Sequence, residues 1–273
     1  MKQTLKMYLS VFQDELIKTK AFIFKNWIMA KRNLFAIFEV IFWPLISFLS
    51  VGLLSDFINL SPSMKGFILI GVIAMSTIQV CQLDVAYVLL YDMWSKALKH
   101  SFVAPIGMRH LFIGSTIVGI IRGGAVFFIL SFLSKIIFKF DALVPSFKVN
   151  FLFLLALFLN SAIIGILVSI LVLTVGYKAE VAAWSLVSLM FLVCGIYYPV
   201  SVLPDWIRNL AELLPLTYFL EYYRKFYGFQ PCYDNLLLKG YTMIFFYLFC
   251  ESVLMKWAIK KAKRNGMLIK LSE

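Results

Sequence analysis

The chain has 273 residues, of which 62% are hydrophobic and only 15% charged, and 27 are phenylalanine. Soluble domains average roughly half apolar residues, so this composition excludes a water-soluble globule and makes lipid the solvent for most side chains. The net charge of +12 lies largely toward the two ends and is nearly absent from the apolar runs. That distribution argues against a nucleic-acid partner and for the anionic cytoplasmic leaflet, with membrane lipids as the partner.

Residues 1–32 read as a cytoplasmic amphipathic interface helix. Leu5, Leu9, Phe12 and Leu16 recur at helical spacing, and Lys18, Lys25 and Arg32 share a face, with Lys31 beside them and Phe24, Trp27 and Ile28 on an apolar side. It reads either as a polybasic anchor or as a helix that also contacts a cytosolic partner. The N-terminus lacks the short apolar core and cleavage site of a signal peptide.

A crossing helix needs about 20 mostly apolar residues. Six runs qualify and together form a transmembrane domain over 33–258. The first, Asn33 to Ser55, contains Glu39 and Pro44, and the second, Gly66 to Leu83, continues past Asp84 toward Tyr91. Next comes a polar segment, 92–106, with Trp94, Lys96, Lys99, His100 and Ala104 ahead of a Pro105–Gly107 breaker; it reads as a partner-docking segment or an ordinary loop. The third run, Leu111 to Ser134, carries Arg122 flanked by Gly119 and Gly123, a spacing that admits close helix approach. The fourth is Val149 to Tyr177, with Ser161, Gly165 and Ser169 four apart, and the fifth is Val181 to Pro204, ceasing to cross near Gly195.

Residues 196–220 do not simply cross. Pro199, Pro204 and Pro215 cut them into short pieces, Asp205 is placed to cap a two-turn amphipathic helix containing Trp206, and Tyr197, Tyr198, Tyr218, Tyr222 and Tyr223 suggest an aromatic belt. Non-helical backbone at membrane depth requires protein or a water-filled cavity around it, so the segment reads as re-entrant and lining an exit path, or as an interfacial loop. The sixth run, Gly240 to Met255, contains Glu251, and a basic tail occupies 259–273. Of the 26 lysines and arginines, 17 fall on the side that holds both termini and 8 on the other, which places both ends in the cytoplasm.

Arg122 stands about 20 Å into its span. A central Arg costs at least ~2.5 kcal/mol to insert, so it should face protein or a cavity. Asp84 is its first expected partner, ahead of Glu39 and Glu251; the pair would hold the bundle together, or Arg122 would meet an anionic headgroup. Cys81, Cys194, Cys232 and Cys250 show no C-x-x-C spacing, and neither a metal site nor a disulfide framework is expected.

In order along the chain, an amphipathic helix, a proline-bearing first span FAIFEVIFWPLISF, the loop WSKALKHSFVAPIGMRHLFIG, a break at GYKAE, the proline-bounded PVSVLPDWIRNLAELLPLTYFLEYYR and a basic KKAKRNGML tail resemble the membrane subunits of ABC type-2 exporters. The resemblance covers nearly the whole chain. It implies an all-α subunit of six spans that works as a dimer with itself or a homologue in a prokaryotic plasma membrane. Cytosolic ABC ATPases would carry ATP and Mg, and no cofactor would bind this chain. It further implies that the interface helix and the segment from Trp94 to Ala104 receive the ATPase motion, and that Tyr198 to Tyr218 form re-entrant extracellular helices. The chain contains no G-x-x-x-x-G-K-[ST] phosphate loop. The substrate would be an amphiphile: drug, lipid, glycolipid or polysaccharide, or peptide. The first span departs from the motif of O-antigen and teichoic-acid exporters, which favours a smaller one. Two other classes stay open, an ion-driven carrier or channel and a membrane-embedded lipid-modifying enzyme. Neither a coordinating filter nor a metal-binding acidic motif is evident.

Overall fold

A computed structural model describes residues 2–32, 34–96 and 107–265, without the side chains of 2–12, 30, 34–37, 39, 108 and 177. Among the described residues every regular element is helical. Helix α1 (Lys2–Arg32) precedes α2 (Leu34–Phe57), α3 (Pro62–Trp94), α4 (Met108–Ile137) and α5 (Phe147–Val175). A 3-10 turn, Tyr177–Glu180, then leads into α6 (Val181–Val193), and a second, Val200–Val202, into α7 (Asp205–Glu212), α8 (Pro215–Lys225) and α9 (Leu236–Arg264).

Local chemistry sets these boundaries. Ser61 caps α3, its hydroxyl accepting the Met64 amide, and Pro62 occupies the first turn, where no amide partner is needed. Gly176 stops α5 at φ +98°, and Gly195 at φ +69° turns the chain after α6, where a Cβ would strike Val200.

Among the described residues five helices (α2, α3, α4, α5 and α9) are long and apolar enough to cross a membrane. The fifth run, expected to cease crossing near Gly195, is the 13-residue helix α6. Its chain is broken at Gly195, and the rest of that run becomes the 3-10 turn that leads to α7.

Helix α3 is the central post, packing against α2, α4, α5, α6 and α8, while α9 lies along α5 and α8. Glycines set how closely the post is approached. A Cβ on Gly119 would lie 2.8 Å from the Cys81 carbonyl oxygen, one on Gly123 3.0 Å from that of Thr77, and one on Gly165 2.5 Å from Val85. The small residues of α4 and α5 therefore serve contacts within this chain. Phe48, Phe127, Phe153, Phe219 and Tyr223 fill the core. Phe128, Phe132, Phe147, Phe245, Phe246 and Phe249 remain more than half exposed, an apolar surface suited to lipid in a multi-pass membrane protein.

Candidate functional site

Three polar constellations interrupt this apolar body. The first joins α1 to the two helix ends that flank residues 97–106. Lys25 pairs with Asp92, which is buried near the end of α3. Ten residues earlier on α1, Glu15 pairs with Arg109 and accepts a 2.9 Å contact from His110 Nε2, both at the start of α4. Between these links Phe22 is buried against Gly114, where a Cβ would come within 2.8 Å of the Phe22 Cβ. The His110 hydrogen bond, reinforced by the charges of Arg109, His110 and Lys18, holds the Glu15 carboxyl below its ordinary 4.5.

Lys25 is thus the member of the expected coupling set that the structure ties to α3. Trp94 is half exposed and packs edge-on against Tyr87 and Tyr91, Lys96 is exposed with left-handed backbone at φ +54°, and Lys31 and Arg32 are exposed. Lys99, His100 and Ala104 lie outside the described residues. On α1 Phe22 supplies the buried contact, and Phe24 and Trp27 are exposed.

The second constellation is within the bundle. Arg122 on α4 makes an ion pair with Asp84 on α3, both largely buried, at the level fixed by the Gly119 and Gly123 contacts. Asp84 Oδ1 takes the guanidinium, while Oδ2 has no hydrogen-bond partner among the described residues. Nearby, the Trp184 indole donates to the Tyr87 hydroxyl at 3.1 Å, joining α6 to α3. Glu251, the other described acid considered for Arg122, stands elsewhere, on α9 beside α1, α3 and α4, and the Glu39 side chain lies outside the described set.

The third is the proline-bounded segment. Pro204 occupies the cap position of α7, and Asp205 makes no capping bond, pairing instead with Arg208 one turn on. Trp206 points outward, whereas Ile207 and Ala211 are buried. Pro199 precedes the 3-10 turn and Pro215 opens α8. The tyrosines do not all form a belt. Tyr198 donates to the Leu192 carbonyl and Tyr218 to that of Glu212, and Tyr223 is buried, stacked 4.0 Å from Phe153 and donating to the Ala142 carbonyl. They serve as pegs, each satisfying a carbonyl that an irregular chain leaves open.

Arg224 matters most here, and sequence reading treated it only as the end of the segment. It is 2% exposed. Its Nη1 donates to the Gly195 carbonyl at 2.6 Å, and its Nη2 to those of Ile196 at 2.7 Å and Phe67 at 2.9 Å. The guanidinium carbon stands 3.4 Å from the Phe67 ring centroid. One cation therefore closes the carbonyls freed where the chain breaks after α6 and fastens them to the start of α3. A Cβ on Gly71 would strike the Ile196 carbonyl at 2.2 Å, so that glycine clears the same junction. An Arg following a proline-interrupted, glycine-broken run is the signal the sequence offers for this staple.

Comparison with known proteins bears on all three. A family model described as ABC-2 type transporter matches residues 18–227. An uncharacterized protein of Archaeoglobus fulgidus is 45% identical over 56 residues, which cover 20% of this chain and 88% of that protein. The matched span of the family model takes in Lys25, Asp84, Arg122 and Arg224 and ends before α9.

Proposed function

Since the chain belongs to the ABC-2 type transporter family, we propose that this permease is the membrane subunit of an exporter that moves a small amphiphile outward, driven by a separate cytosolic ABC ATPase that carries ATP and Mg. Membership makes it a transport permease that associates with an ABC ATPase. Direction, substrate class, pairing with a second copy and residence of both termini in the cytoplasm of a prokaryotic cell are our reading.

The observation that carries the reading is the double attachment of α1. Lys25 fixes it to the end of α3 and Glu15 to the start of α4, so one rigid helix bridges the segment between them. An ATPase pressing on that segment or on α1 moves both core helices together, since packed helices shift as units rather than deform. Arg122 and Asp84 lie on the same two helices, which places a charged pair where such a displacement is felt inside the membrane. The segment held by Arg224 supplies irregular backbone that is buried at Gly195 and Ile196 and exposed at Ser201, Val202 and Pro204, a backbone of the kind that membrane proteins place against protein or a water-filled path.

The test is co-expression with the ATPase encoded next to this chain. Co-purification is expected, together with substrate-stimulated ATP hydrolysis in liposomes and ATP-dependent loading of inside-out vesicles. Solute movement by the chain alone, following an ion gradient without ATP, would replace this reading with that of an ion-driven carrier.

A further inference from the structure

Between the half of α9 that ends at Arg264 and the facing parts of α1, α3 and α4 runs a cleft of about 560 Å³, within the range of small-molecule sites. Helix α9 leans on α5 and α8, leaving this side open. The walls are apolar: Phe112 and Leu111 from α4, Leu89 from α3, and Leu248, Met255 and Ile259 from α9. At the inner end is Glu251, 6% exposed, with Oε2 lacking any hydrogen-bond partner and with no ion-pair partner among the described residues. Lys263, at the mouth, is twelve residues further along α9, ~18 Å at 1.5 Å per residue.

A buried carboxyl oxygen without a partner is costly. Water is a poor remedy, because it needs two to four polar partners, and the neighbouring Ser252 hydroxyl already donates to the Phe249 carbonyl at 2.7 Å. The other charges lining the cleft are accounted for. Asp92 is held by Lys25 and Arg109 by Glu15, and Lys256 and Lys263 are exposed side chains of the kind that extend toward water or lipid phosphate. An anionic amphiphile would be repelled by the carboxylate, and a neutral one with a hydroxyl could donate a hydrogen bond to Oε2 but would leave its charge unpaired. An ammonium group supplies both the opposite charge and the N–H donors that the oxygen lacks.

We propose that this cleft binds a lipophilic amine, its ammonium group against Glu251 Oε2 and its apolar body along Phe112, Leu248 and Met255. The amine reaches the site sideways from the bilayer, away from the lysines at the mouth. An uncharged amine meeting the protonated acid yields the same ion pair as an ammonium meeting the carboxylate: one O–H breaks, one N–H forms, and net charge is conserved. The proposal narrows the substrate class of the exporter described above, but binding itself needs neither the ATPase nor turnover.

The experiment uses the full chain in lipid nanodiscs and three photoreactive diazirine probes of equal length: an alkyl amine, an alkyl alcohol and an alkyl carboxylate. Adducts are mapped by mass spectrometry. The amine is expected to label residues 248–259 and 111–113 at least tenfold above the other two, and Glu251→Gln, which keeps side-chain size, to remove that preference. Ile259→Trp, which fills the cleft, should abolish labelling there by every probe, with the thermal transition unchanged as a check on folding. Equal labelling by all three probes identifies a general lipid crevice and overturns the proposal, as does an amine preference that survives in Glu251→Gln or an absence of cleft labelling. Failure of ATPase co-purification would sink the exporter reading while leaving this labelling result intact.

Discussion

Replacing Arg224 with Met tests how the irregular segment is held. The substitution keeps an unbranched chain of similar reach but removes three hydrogen bonds, to the carbonyls of Gly195, Ile196 and Phe67. Hydrogen bonds from a charged donor contribute about 1.5–3 kcal/mol each net of solvation, so the gross loss is roughly 5–9 kcal/mol. Burying the guanidinium costs several kcal/mol, and that cost vanishes with the charge. A net destabilisation of about 3 kcal/mol is left, in line with breaking a buried charged network. At ~2–4 °C per kcal/mol for a chain of this size, the midpoint should fall by roughly 6–12 °C. Cys194 adjoins the staple and Cys81 is buried, whereas Cys232 is exposed and Cys250 half-buried. A thiol-reactive fluorophore on a Cys232→Ser, Cys250→Ser background therefore reports opening of this region as protein in detergent is heated. Arg224→Lys should fall between, because an ammonium on a flexible stem is a point charge and lacks the planar fork that reaches all three carbonyls. A midpoint within 2 °C of the parent for Arg224→Met, with Cys194 still protected, would refute the staple.

Further expectations concern the bundle and α1. Arg122→Ala should leave Asp84 buried without its cation and impair assembly or transport, by about 3 kcal/mol if it behaves as a broken buried pair. Adding Asp84→Asn should recover most of the loss in a double-mutant cycle, and wild-type transport by the single mutant would remove the pair from the mechanism. Gly123→Leu should force α3 and α4 apart and cost more than 3 kcal/mol, the overpacking penalty set by a carbonyl already 3.0 Å from a Cβ; Thr77–Gly123 distance measurements by paired spin labels at neighbouring positions check it. The attachment through Glu15 should depend on pH in a defined direction. Its carboxyl titrates below 4.5 when docked, so the contribution is complete above that value and disappears as pH falls through the lowered one. The distance between spin labels at the exposed positions 16 and 113, which leave Lys18, Arg109 and His110 in place, should hold steady from neutral pH to 5 and lengthen only in stronger acid, and a change already complete at pH 6 would contradict the geometry.

What the sequence revealed depended on whether a signal was local. Apolar runs located the long helices, and Pro199, Pro204 and Pro215 marked the segment that departs from them, since proline and glycine act on their own backbone. Asp84 was reachable as the partner of Arg122 because the two spans are consecutive. Glu15 and Arg224 were not. The partners of Arg224 are backbone carbonyls, which every residue has, so locating the break near Gly195 did not reveal what closes it. Glu15 meets residues almost a hundred positions away.

The glycine contacts on α3 carry a last consequence. Sliding α3 one turn past α4 would bring Ser115 or Phe127 to one of the two contacts that Gly119 and Gly123 now make, and sliding it past α5 would bring Ser161 or Ser169 to that of Gly165, driving a side chain into the post. Those three rods are consequently interlocked like a keyed joint, translating together but unable to shear. A push delivered through α1 would therefore carry these three helices as one body past α2, α6 and α9.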